Sequence, residues 1–333
     1  MTAAAIRQIV KWYAKRNIRE HCPSKIADRL LGPRGPIHQE WSIGIVTGAS
    51  PLRLRHAQGT SNPVLTRYSV SDVRALFVAD PFLIRVGDLW HMFFEVYNFD
   101  SDRGEIAWAT SQDGFAWTYQ KIVLRESFHL SYPYVFEWQG RYYMIPETHQ
   151  AESVRLYEAT TFPTEWVCTD ILIQGHRFAD SSIFMSDDRW WLFTETNPAL
   201  AHDTLRLYQA PALRGPWEEH PLSPIIQANP HIARPAGRVV RDGKRIVRFA
   251  QDCFPVYGTR VRAFEITELT ASTYRERPAT FGPLFGPSWR LWTQGGMHHV
   301  DAQRLNSHQW IAAVDGWRQV GWPIPEGWQR DRC

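Results

Sequence analysis

Three stretches of the chain, ADPFLIRVGDLWHMFFE (79–95), SYPYVFEWQGRYYMIPE (131–147) and ADSSIFMSDDRWWLFTE (179–195), align with one another without a gap. Each begins with a small residue, continues as an alternating apolar strand, turns, and closes an aromatic-rich second strand on a glutamate. Alternation with a period of two, rich in β-branched and aromatic side chains, is typical of β-strands. The three stretches therefore predict three copies of one β-hairpin.

Two looser copies follow in ARPAGRVVRDGKRIVRFAQD (233–252) and HHVDAQRLNSHQWIAAVDG (298–316). A second pattern, a strand, a turn and an aromatic residue, recurs after each of the first four hairpins: IAWATSQDGFAW (106–117), VRLYEATTFPTEW (154–166), LRLYQAPALRGPW (205–217) and VRAFEITELTASTY (261–274). Two motifs that repeat in phase at a period of about 50 residues favour a β-propeller over unrelated hairpins of a sandwich.

The repeat predicts an all-β fold, a five-bladed β-propeller formed by residues 39–320, with a C-terminal tail over residues 321–333. The segment WSIGIVTGASPLRL (41–54) precedes the first hairpin and has strand character, whereas the fifth unit runs out soon after Trp317. We expect residues 41–54 to supply a missing strand to the last blade and so to join the two ends of the chain.

Residues 1–38 are predicted to form a basic, amphipathic helical extension. In AAAIRQIVKWYAKRNIRE (3–20), apolar residues share one face and basic residues spaced four apart share another. Residues 1–35 contain eight lysine or arginine residues and two acidic ones, so this segment carries a net charge of +6 and the rest −3, against +3 for the whole chain. Such a helix either docks on the propeller or lies on an anionic membrane surface.

Composition excludes several classes of protein. A net charge of +3 on 333 residues does not indicate a nucleic-acid partner. The four cysteines are far apart and show no metal-ligand spacing, so neither a disulfide framework nor a zinc site is expected. Arg7 and Lys11 interrupt any signal-peptide core, and no run of 18 apolar residues occurs. We therefore expect a cytoplasmic protein, peripheral on the inner face of the membrane if residues 1–35 bind lipid.

The register of the repeat predicts which side chains meet at the centre of the molecule. The innermost strands of all blades converge on the central channel of a propeller, so equivalent positions at their starts face one another. These positions hold a different polar residue in each blade: Asp80, Tyr132, Asp180, Arg234 and His298 or His299. We interpret them as the lining of a substrate-binding funnel; a merely solvated channel is the alternative.

Asp80 and Asp180 are the predicted catalytic pair, because two carboxylates beside a glycosidic bond can act as base or nucleophile and as acid. The glutamates that end the second strands bind sugar hydroxyls or supply the acid, and Glu147, whose backbone is fixed by the preceding proline, is the first candidate. Capping of strand ends by hydrogen bonds to backbone N–H groups is an equal alternative. The remaining acidic residues assigned to substrate binding are Glu95, Glu195 and Asp252.

Arg234 is predicted to clamp a phosphate or carboxylate group of the substrate through two hydrogen bonds. His298, His299 and Asp301 suggest a metal cluster by composition, but neighbours on a strand point to opposite faces and do not ligate one ion together. Neither a metal nor a cofactor is expected, since the sequence has no glycine-rich phosphate loop, GxSxG elbow or HExxH motif.

Two groups of motifs resemble known families. Ala-Asp-Pro (79–81) and ATSQDGFAW (109–117) resemble the five-bladed propeller clan of glycoside hydrolases, which includes arabinanases, β-xylosidases, invertases and levansucrases. SYPYVFE (131–137) and IPET (145–148) resemble more closely the N-terminal propeller domain of plant glucosamine inositolphosphorylceramide transferases and its stand-alone bacterial relatives. This similarity extends over about residues 40–318.

The clan resemblance implies roles for three residues. Asp80 matches the aspartate that serves as base or nucleophile, and Asp180 falls where the clan usually carries its general-acid glutamate. Tyr132 replaces a second aspartate that orients the acid, so the carboxylate triad is incomplete. A tyrosine in that place is expected to stack on a sugar, donate a hydrogen bond or act as a nucleophile.

Three functions remain open at this point. The first is a glycosyltransferase-type enzyme of polysaccharide or glycolipid assembly, acting on a sugar donor and a glycan or glycolipid acceptor. The furanose preference of the clan adds a furanosyl donor to this hypothesis. The second is an intracellular glycoside hydrolase that uses paired carboxylates, and the third is a non-catalytic glycan-binding propeller.

Overall fold

A computed structural model describes residues 37–57 and 59–321, which fold as a five-bladed β-propeller and confirm the predicted fold class. The helices in this part are short 3₁₀ turns: Arg67–Ser69, His149–Ala151 and Leu291–Thr293. None of these described helices has the length and apolar character needed to cross a membrane. The helix predicted within residues 3–20 and residues 322–333 of the predicted tail lie outside the described residues.

Each blade is a four-stranded antiparallel sheet. The described residues begin with β1 (Ile37–Gly48) and β2 (Leu54–His56), which belong to the last blade. Four blades follow in chain order. The first blade consists of β3 (Ala75–Val86), β4 (Leu89–Asn98), β5 (Arg103–Ser111) and β6 (Thr118–Leu124), and the second of β7 (Ser131–Trp138), β8 (Arg141–Glu147), β9 (Ser153–Thr161) and β10 (Glu165–Gln174). The third blade consists of β11 (Ala179–Ser186), β12 (Arg189–Glu195), β13 (Leu205–Ala210) and β14 (Glu218–Glu219), and the fourth of β15 (Val240–Asp242), β16 (Arg245–Asp252), β17 (Arg260–Leu269) and β18 (Tyr274–Pro278). The fifth blade is completed by β19 (Val300–Arg304) and β20 (Trp310–Gly321).

The ring closes where the start of the described chain meets its end. β1 pairs with β20 over its whole length, from Ile37 opposite Gly321 to Gly48 opposite Trp310. The strand order of this blade is β19-β20-β1-β2, so the N-terminal segment supplies the two outer strands rather than the single strand predicted. A turn after Gly48 reverses the chain and creates the second of these strands, a short one that pairs back on β1.

The core lies between neighbouring blades, where aromatic rings pack edge to face. Phe93 of the first blade meets Trp166 of the second with 5.5 Å between ring centroids. Leu83 of the first blade and Ile311 of the fifth share another buried cluster. Such contacts bury apolar area that no single blade could bury alone, which explains why the repeat needs a closed ring.

The first three blades share an unusual backbone at the start of the inner strand. The φ angle is 53° at Asp80, 46° at Tyr132 and 50° at Asp180, all in the left-handed region. Each of these residues lies within a register shift of the strand pairing, which in the first blade is the shift between Ala79 and Phe82. A bulge of this kind redirects a side chain, and left-handed residues other than glycine cluster at functional sites. The gapless alignment of the three hairpins therefore corresponds to one local geometry.

Arg238 contacts residues of several blades. Its Nε donates to Asp301 Oδ1 at 2.8 Å, and its Nη2 donates to the carbonyl oxygen of Val135 at 2.8 Å. Its guanidinium also lies 4.6 Å from the centre of the Tyr134 ring. These contacts join the second, fourth and fifth blades.

Candidate active site in the central funnel

The strand register brings the predicted acidic residues to one end of the propeller. In the first blade Ala79 pairs with Glu95, so Asp80 and Glu95 lie at the same end of the hairpin. The second and third blades repeat this arrangement, with Ser131 opposite Glu147 and Ala179 opposite Glu195. All of these carboxyl groups are buried, at exposures of 5% or less.

Carboxylates of one blade hold the inner strand of the next. The Asp80 N–H donates to Asp315 Oδ2 at 3.1 Å, and the Tyr132 N–H donates to Asp80 Oδ2 at 3.2 Å. The Asp180 N–H donates to Glu147 Oε2 at 3.0 Å. The strand-end capping considered for the glutamates thus occurs at Glu147, across a blade boundary, and the same carboxylate also faces the funnel.

Arg234 lies between two of the predicted acids. Its Nε donates to Asp180 Oδ2 at 2.6 Å, and its Nη2 donates to Glu147 Oε2 at 3.2 Å. The third nitrogen, Nη1, lies 2.9 Å from His202 Nδ1, and the guanidinium packs 4.9 Å from the centre of the Tyr257 ring. Each nitrogen thus has one partner inside the protein, and Nη1 and Nη2 each keep a second N–H, because a guanidinium has five donors. Arg234 holds two carboxylates together, and the clamp on a phosphate or carboxylate group of the substrate stays a prediction.

The pKa values of the two carboxyl groups that share Arg234 are shifted in opposite directions. Burial alone would raise the pKa of Glu147, but His149, 2.6 Å away, and Arg234 outweigh it and hold this pKa well below its usual value. Burial raises the pKa of Asp180 well above its usual value, and the charges of Glu147 and Asp80 add to this against Arg234. Asp180 Oδ2 accepts from Arg234 and also from Gln251 Nε2 at 2.6 Å, whereas Oδ1 accepts from neither of them.

Asp80 belongs to a second charged group. His298 Nε2 lies 3.5 Å from Asp80 Oδ1, and His298 Nδ1 lies 2.8 Å from Asp315 Oδ1. Burial raises the pKa of Asp80 to about 7, while the nearby His298 charge lowers it. Burial opposes the charged form of His298, but Asp315 outweighs it and raises the pKa of the imidazole. The Trp41 ring, whose centroid is 4.1 Å from that of His298, holds the imidazole in place.

Asp315 was missed by the sequence analysis, although its signal was present. It directly follows Val314, the last residue of β20 that pairs with the inner strand β19, and the glutamates of the first three hairpins hold similar positions. Asp80, His298 and Asp315 have ligand atoms within 4.8 Å of one another, a spacing that could hold a metal ion. The short contact between His298 and Asp315 fits equally a hydrogen-bonded chain of carboxylate, imidazolium and carboxylate, and we derive no metal chemistry from it.

The first and second blades contribute two further histidines that the repeat did not reveal. His129 Nε2 lies 3.5 Å from Glu95 Oε1, and the rings of His129 and His149 are 5.7 Å apart. Burial raises the pKa of Glu95 well above its usual value and lowers that of His129 to about 4. Burial also raises the pKa of Glu195 to about 7. In this part of the funnel, burial therefore disfavours the charged forms of Glu95, His129 and Glu195.

Tyr132 is fully buried and does not line the funnel as predicted. Its hydroxyl accepts from the Gly237 N–H at 2.5 Å and lies 2.8 Å from Ser182 Oγ. The ring packs edge to face on Phe82, with 4.8 Å between centroids. A side chain enclosed in this way has no face for a sugar, so its contacts tie the second blade to the third and fourth.

His299 and Asp252 are also fully buried. The His299 ring is buried beside Phe82, and its Nε2 lies 3.0 Å from the carbonyl oxygen of Pro81. Asp252 accepts from Arg262 Nη2 at 2.7 Å and lies 2.8 Å from His231 Nδ1. The Asp252 carboxylate is thus compensated at the end of β16. Both histidines of the pair approach Asp80 Oδ1, His298 through Nε2 at 3.5 Å and His299 through Nδ1 at 3.8 Å.

Comparison with known proteins identifies a family and several relatives of this chain. The family described as "Glucosamine inositolphosphorylceramide transferase 1, N-terminal" matches residues 37–317. The protein named glucosamine inositolphosphorylceramide transferase 1 from Oryza sativa subsp. japonica is 37% identical over 307 residues, which cover 86% of this chain and 40% of the relative. The protein of the same name from Arabidopsis thaliana is 31% identical over 311 residues, 87% of this chain and 40% of the relative. The chain thus matches 40% of the length of these relatives.

Among solved structures, an exo-β-1,3-galactanase from Clostridium thermocellum superposes with a TM-score of 0.54. The alignment covers 67% of this chain and 52% of the galactanase, at 12% sequence identity. A likeness at this level of identity shows a shared fold and carries no statement about substrate.

Proposed function

Because the chain belongs to the family of the glucosamine inositolphosphorylceramide transferase 1 N-terminal domain, we propose that its funnel is the active site of a glycosyltransferase-type enzyme of glycolipid or polysaccharide assembly. The name of the relatives states a sugar and an inositolphosphorylceramide. We carry over the broader class, a sugar donor and a glycolipid or glycan acceptor, with furanosyl donors included. The observation that carries the proposal is that Asp80 and Asp180 are buried in one funnel but belong to differently charged groups.

The proposed chemistry assigns one proton transfer to each aspartate. Asp80, as general base, accepts the proton of the acceptor hydroxyl while that oxygen attacks the anomeric carbon. Asp180, as general acid, gives its proton to the oxygen that leaves the sugar. Glu147 stays ionised beside His149 and Arg234, so its role is to form an ion pair with Arg234 rather than to donate a proton. The same pair would hydrolyse a glycoside if water replaced the acceptor.

Product analysis separates transfer from hydrolysis. The full chain is incubated with nucleotide-activated glucosamine, N-acetylglucosamine or furanose donors and with inositolphosphorylceramide in detergent micelles, and lipid products are detected by mass spectrometry. Nitrophenyl furanosides and pyranosides are tested in parallel. A glycosylated lipid that needs both substrates supports the proposal. Nitrophenol release without any lipid product would indicate the hydrolase, and sugar binding without turnover would indicate a glycan-binding propeller.

The rate of the proposed reaction should rise with pH through about 7, the pKa to which burial raises Asp80, because the base must be ionised. His298→Gln removes the positive charge that favours ionised Asp80. We expect the acidic limb of the kcat/KM profile to move upward by about one pH unit in this variant. His308→Gln, an exposed histidine in the turn before β20, should leave the profile unchanged. An unmoved limb in His298→Gln would mean that Asp80 is not the group that titrates.

A further inference from the structure

Large apolar side chains are unevenly exposed over the described surface. Several lie in loops of the third to fifth blades, and we call this set the apolar rim: Leu200, Phe254, Val256, Phe281, Trp289 and Leu291. Phe281 is fully exposed, Trp289 is 59% exposed and Phe254 is 56% exposed. Contiguous exposed apolar patches are uncommon on proteins that act alone in water, and they mark surfaces that contact a partner.

The loops that carry the apolar rim are neighbours in space. His202, in the loop 196–204 between β12 and β13, contacts Tyr257, in the loop 253–259 between β16 and β17, at 5.1 Å between ring centroids. The segment 279–299 between β18 and β19 joins the same surface, since the Met297 N–H donates to the carbonyl oxygen of Thr259 at 3.5 Å. The three loops are therefore neighbours at one end of the propeller.

These loops lie at the same end of the propeller as the residues of the candidate active site. Loops 196–204 and 253–259 follow second strands, which end beside Glu195 and Gln251, and segment 279–299 leads into the inner strand beside His298. Tyr257 itself packs against Arg234 in the funnel, with 4.9 Å between the guanidinium carbon and the ring centre. The apolar rim thus borders the mouth of the candidate active site.

The three loops contain few charged residues, as is common at a lipid interface, and the loop 196–204 contains one, Asp203. Segment 279–297 contains four aromatic residues and one charged residue, Arg290, whose guanidinium lies 4.8 Å from the centre of the Trp289 ring. The loop 253–259 contains no charged residue. Tryptophan and arginine together are typical of the interfacial region of a bilayer, where ring and guanidinium reach the headgroups.

The most basic part of the chain is attached to the same face. Asp315, beside the candidate active site, pairs with Ile43 in the two-stranded pairing of β1 with β20. This pairing continues past Asp315 at the same end of the propeller, as far as Ile37 opposite Gly321. Residues 1–36 precede the ribbon, and residues 1–35 contain eight basic and two acidic side chains. The face that carries the apolar rim is therefore also the face at which a segment of net charge +6 joins the propeller.

We propose that this face docks on the surface of an anionic phospholipid bilayer. The apolar rim enters the interfacial region, while Arg290 and the basic residues of segment 1–35 contact anionic headgroups. Docking of this kind holds the funnel mouth at the headgroup level, where the sugar or phosphate of a lipid-linked substrate is accessible. The docking goes beyond the proposed reaction and does not depend on it, because vesicle binding requires no turnover.

Vesicle co-sedimentation of the full chain tests the proposal. Vesicles of phosphatidylcholine with about 30% phosphatidylserine should bind the wild type more strongly than phosphatidylcholine alone, and added salt should weaken this binding. The rim variant Phe254→Ser/Phe281→Ser/Trp289→Ser should lower the partition coefficient by about tenfold or more. Val167→Ser/Ile171→Ser removes two exposed apolar side chains from the outer strand of the second blade and should leave binding unchanged.

Three outcomes would overturn the proposal. In the first, the wild type fails to bind anionic vesicles. In the second, the rim variant binds as well as the wild type, which would leave segment 1–35 as the sole contact. In the third, the wild type is a dimer that the rim variant converts to monomer without any vesicle binding, which assigns the rim to a second copy of the chain. Thermal unfolding of each variant controls for folding, and the single variant Phe281→Ser, at a fully exposed ring, repeats the test with the least disturbance.

Discussion

Asp80→Asn is expected to reduce turnover by about 10²–10⁴-fold while leaving sugar affinity within a few-fold of the wild type. The asparagine amide oxygen can still accept the Tyr132 N–H, which Asp80 Oδ2 accepts at 3.2 Å, so the wall of the funnel keeps its shape. An amide cannot take the proton of an acceptor hydroxyl or attack an anomeric carbon. Turnover is measured with the substrate identified by product analysis, and affinity is measured by calorimetry with the sugar alone.

A matched control lies in the same hairpin. Asp88 is in the turn between β3 and β4 with its side chain fully exposed, so Asp88→Asn changes the net charge equally and should leave turnover intact. Loss of turnover with retained affinity in Asp80→Asn alone excludes a purely glycan-binding propeller. If Asp80→Asn changed neither turnover nor affinity, the assignment of the funnel as the site would be wrong.

The register of the propeller was predictable because three hairpins align without a gap. Three residues that are equivalent in the sequence alignment have the same left-handed φ and lie in the same kind of bulge: Asp80, Tyr132 and Asp180. Closure of the ring by the N-terminal segment was also predictable, since a propeller needs its last blade completed. The second strand from that segment, β2, is only three residues long and has too little pattern to be read.

The direction of the side chains was not predictable from the repeat. At a bulge the alternation of faces is broken, so a register does not say whether a residue enters the channel or the core. Tyr132 occupies the position equivalent to Asp80 but is buried, because its hydroxyl finds partners on Gly237 and Ser182. Partners drawn from different blades leave no local signature in the sequence.

The histidines of the funnel show a second limit. His129, His149 and His202 come from loops that differ in length and sequence between blades, so no repeat position identifies them. Their effect depends on burial and on neighbouring charges: burial lowers the pKa of His202 to about 3 and that of His129 to about 4. Arg234 was found by its repeat position, but its engagement with Asp180 and Glu147 follows only from the three-dimensional arrangement.

Arg234→Met is expected to lower the free energy of unfolding at neutral pH by about 3–5 kcal/mol, because it leaves two buried carboxyl groups without their shared cation. Arg275→Met is the matched control in the same blade. Arg275 pairs with Glu268 on the surface, where its side chain is 80% exposed, and an exposed pair contributes about 1 kcal/mol at most. Both variants are measured by chemical denaturation.

The pH dependence of the Arg234→Met loss identifies its cause. In the wild type the pKa of Glu147 is held well below its usual 4.5, so the ion pair stabilises the fold above about pH 4.5 and less as pH falls through the lowered value. Without Arg234 the pKa of Glu147 rises, and protonation relieves the uncompensated charge. The difference between variant and wild type should therefore be largest at neutral pH and shrink toward acid pH. Adding Glu147→Gln to Arg234→Met should restore part of the lost stability at neutral pH, because one buried charge is gone. A loss independent of pH, with no recovery in the double variant, would instead mean that Arg234 stabilises the funnel by packing on Tyr257.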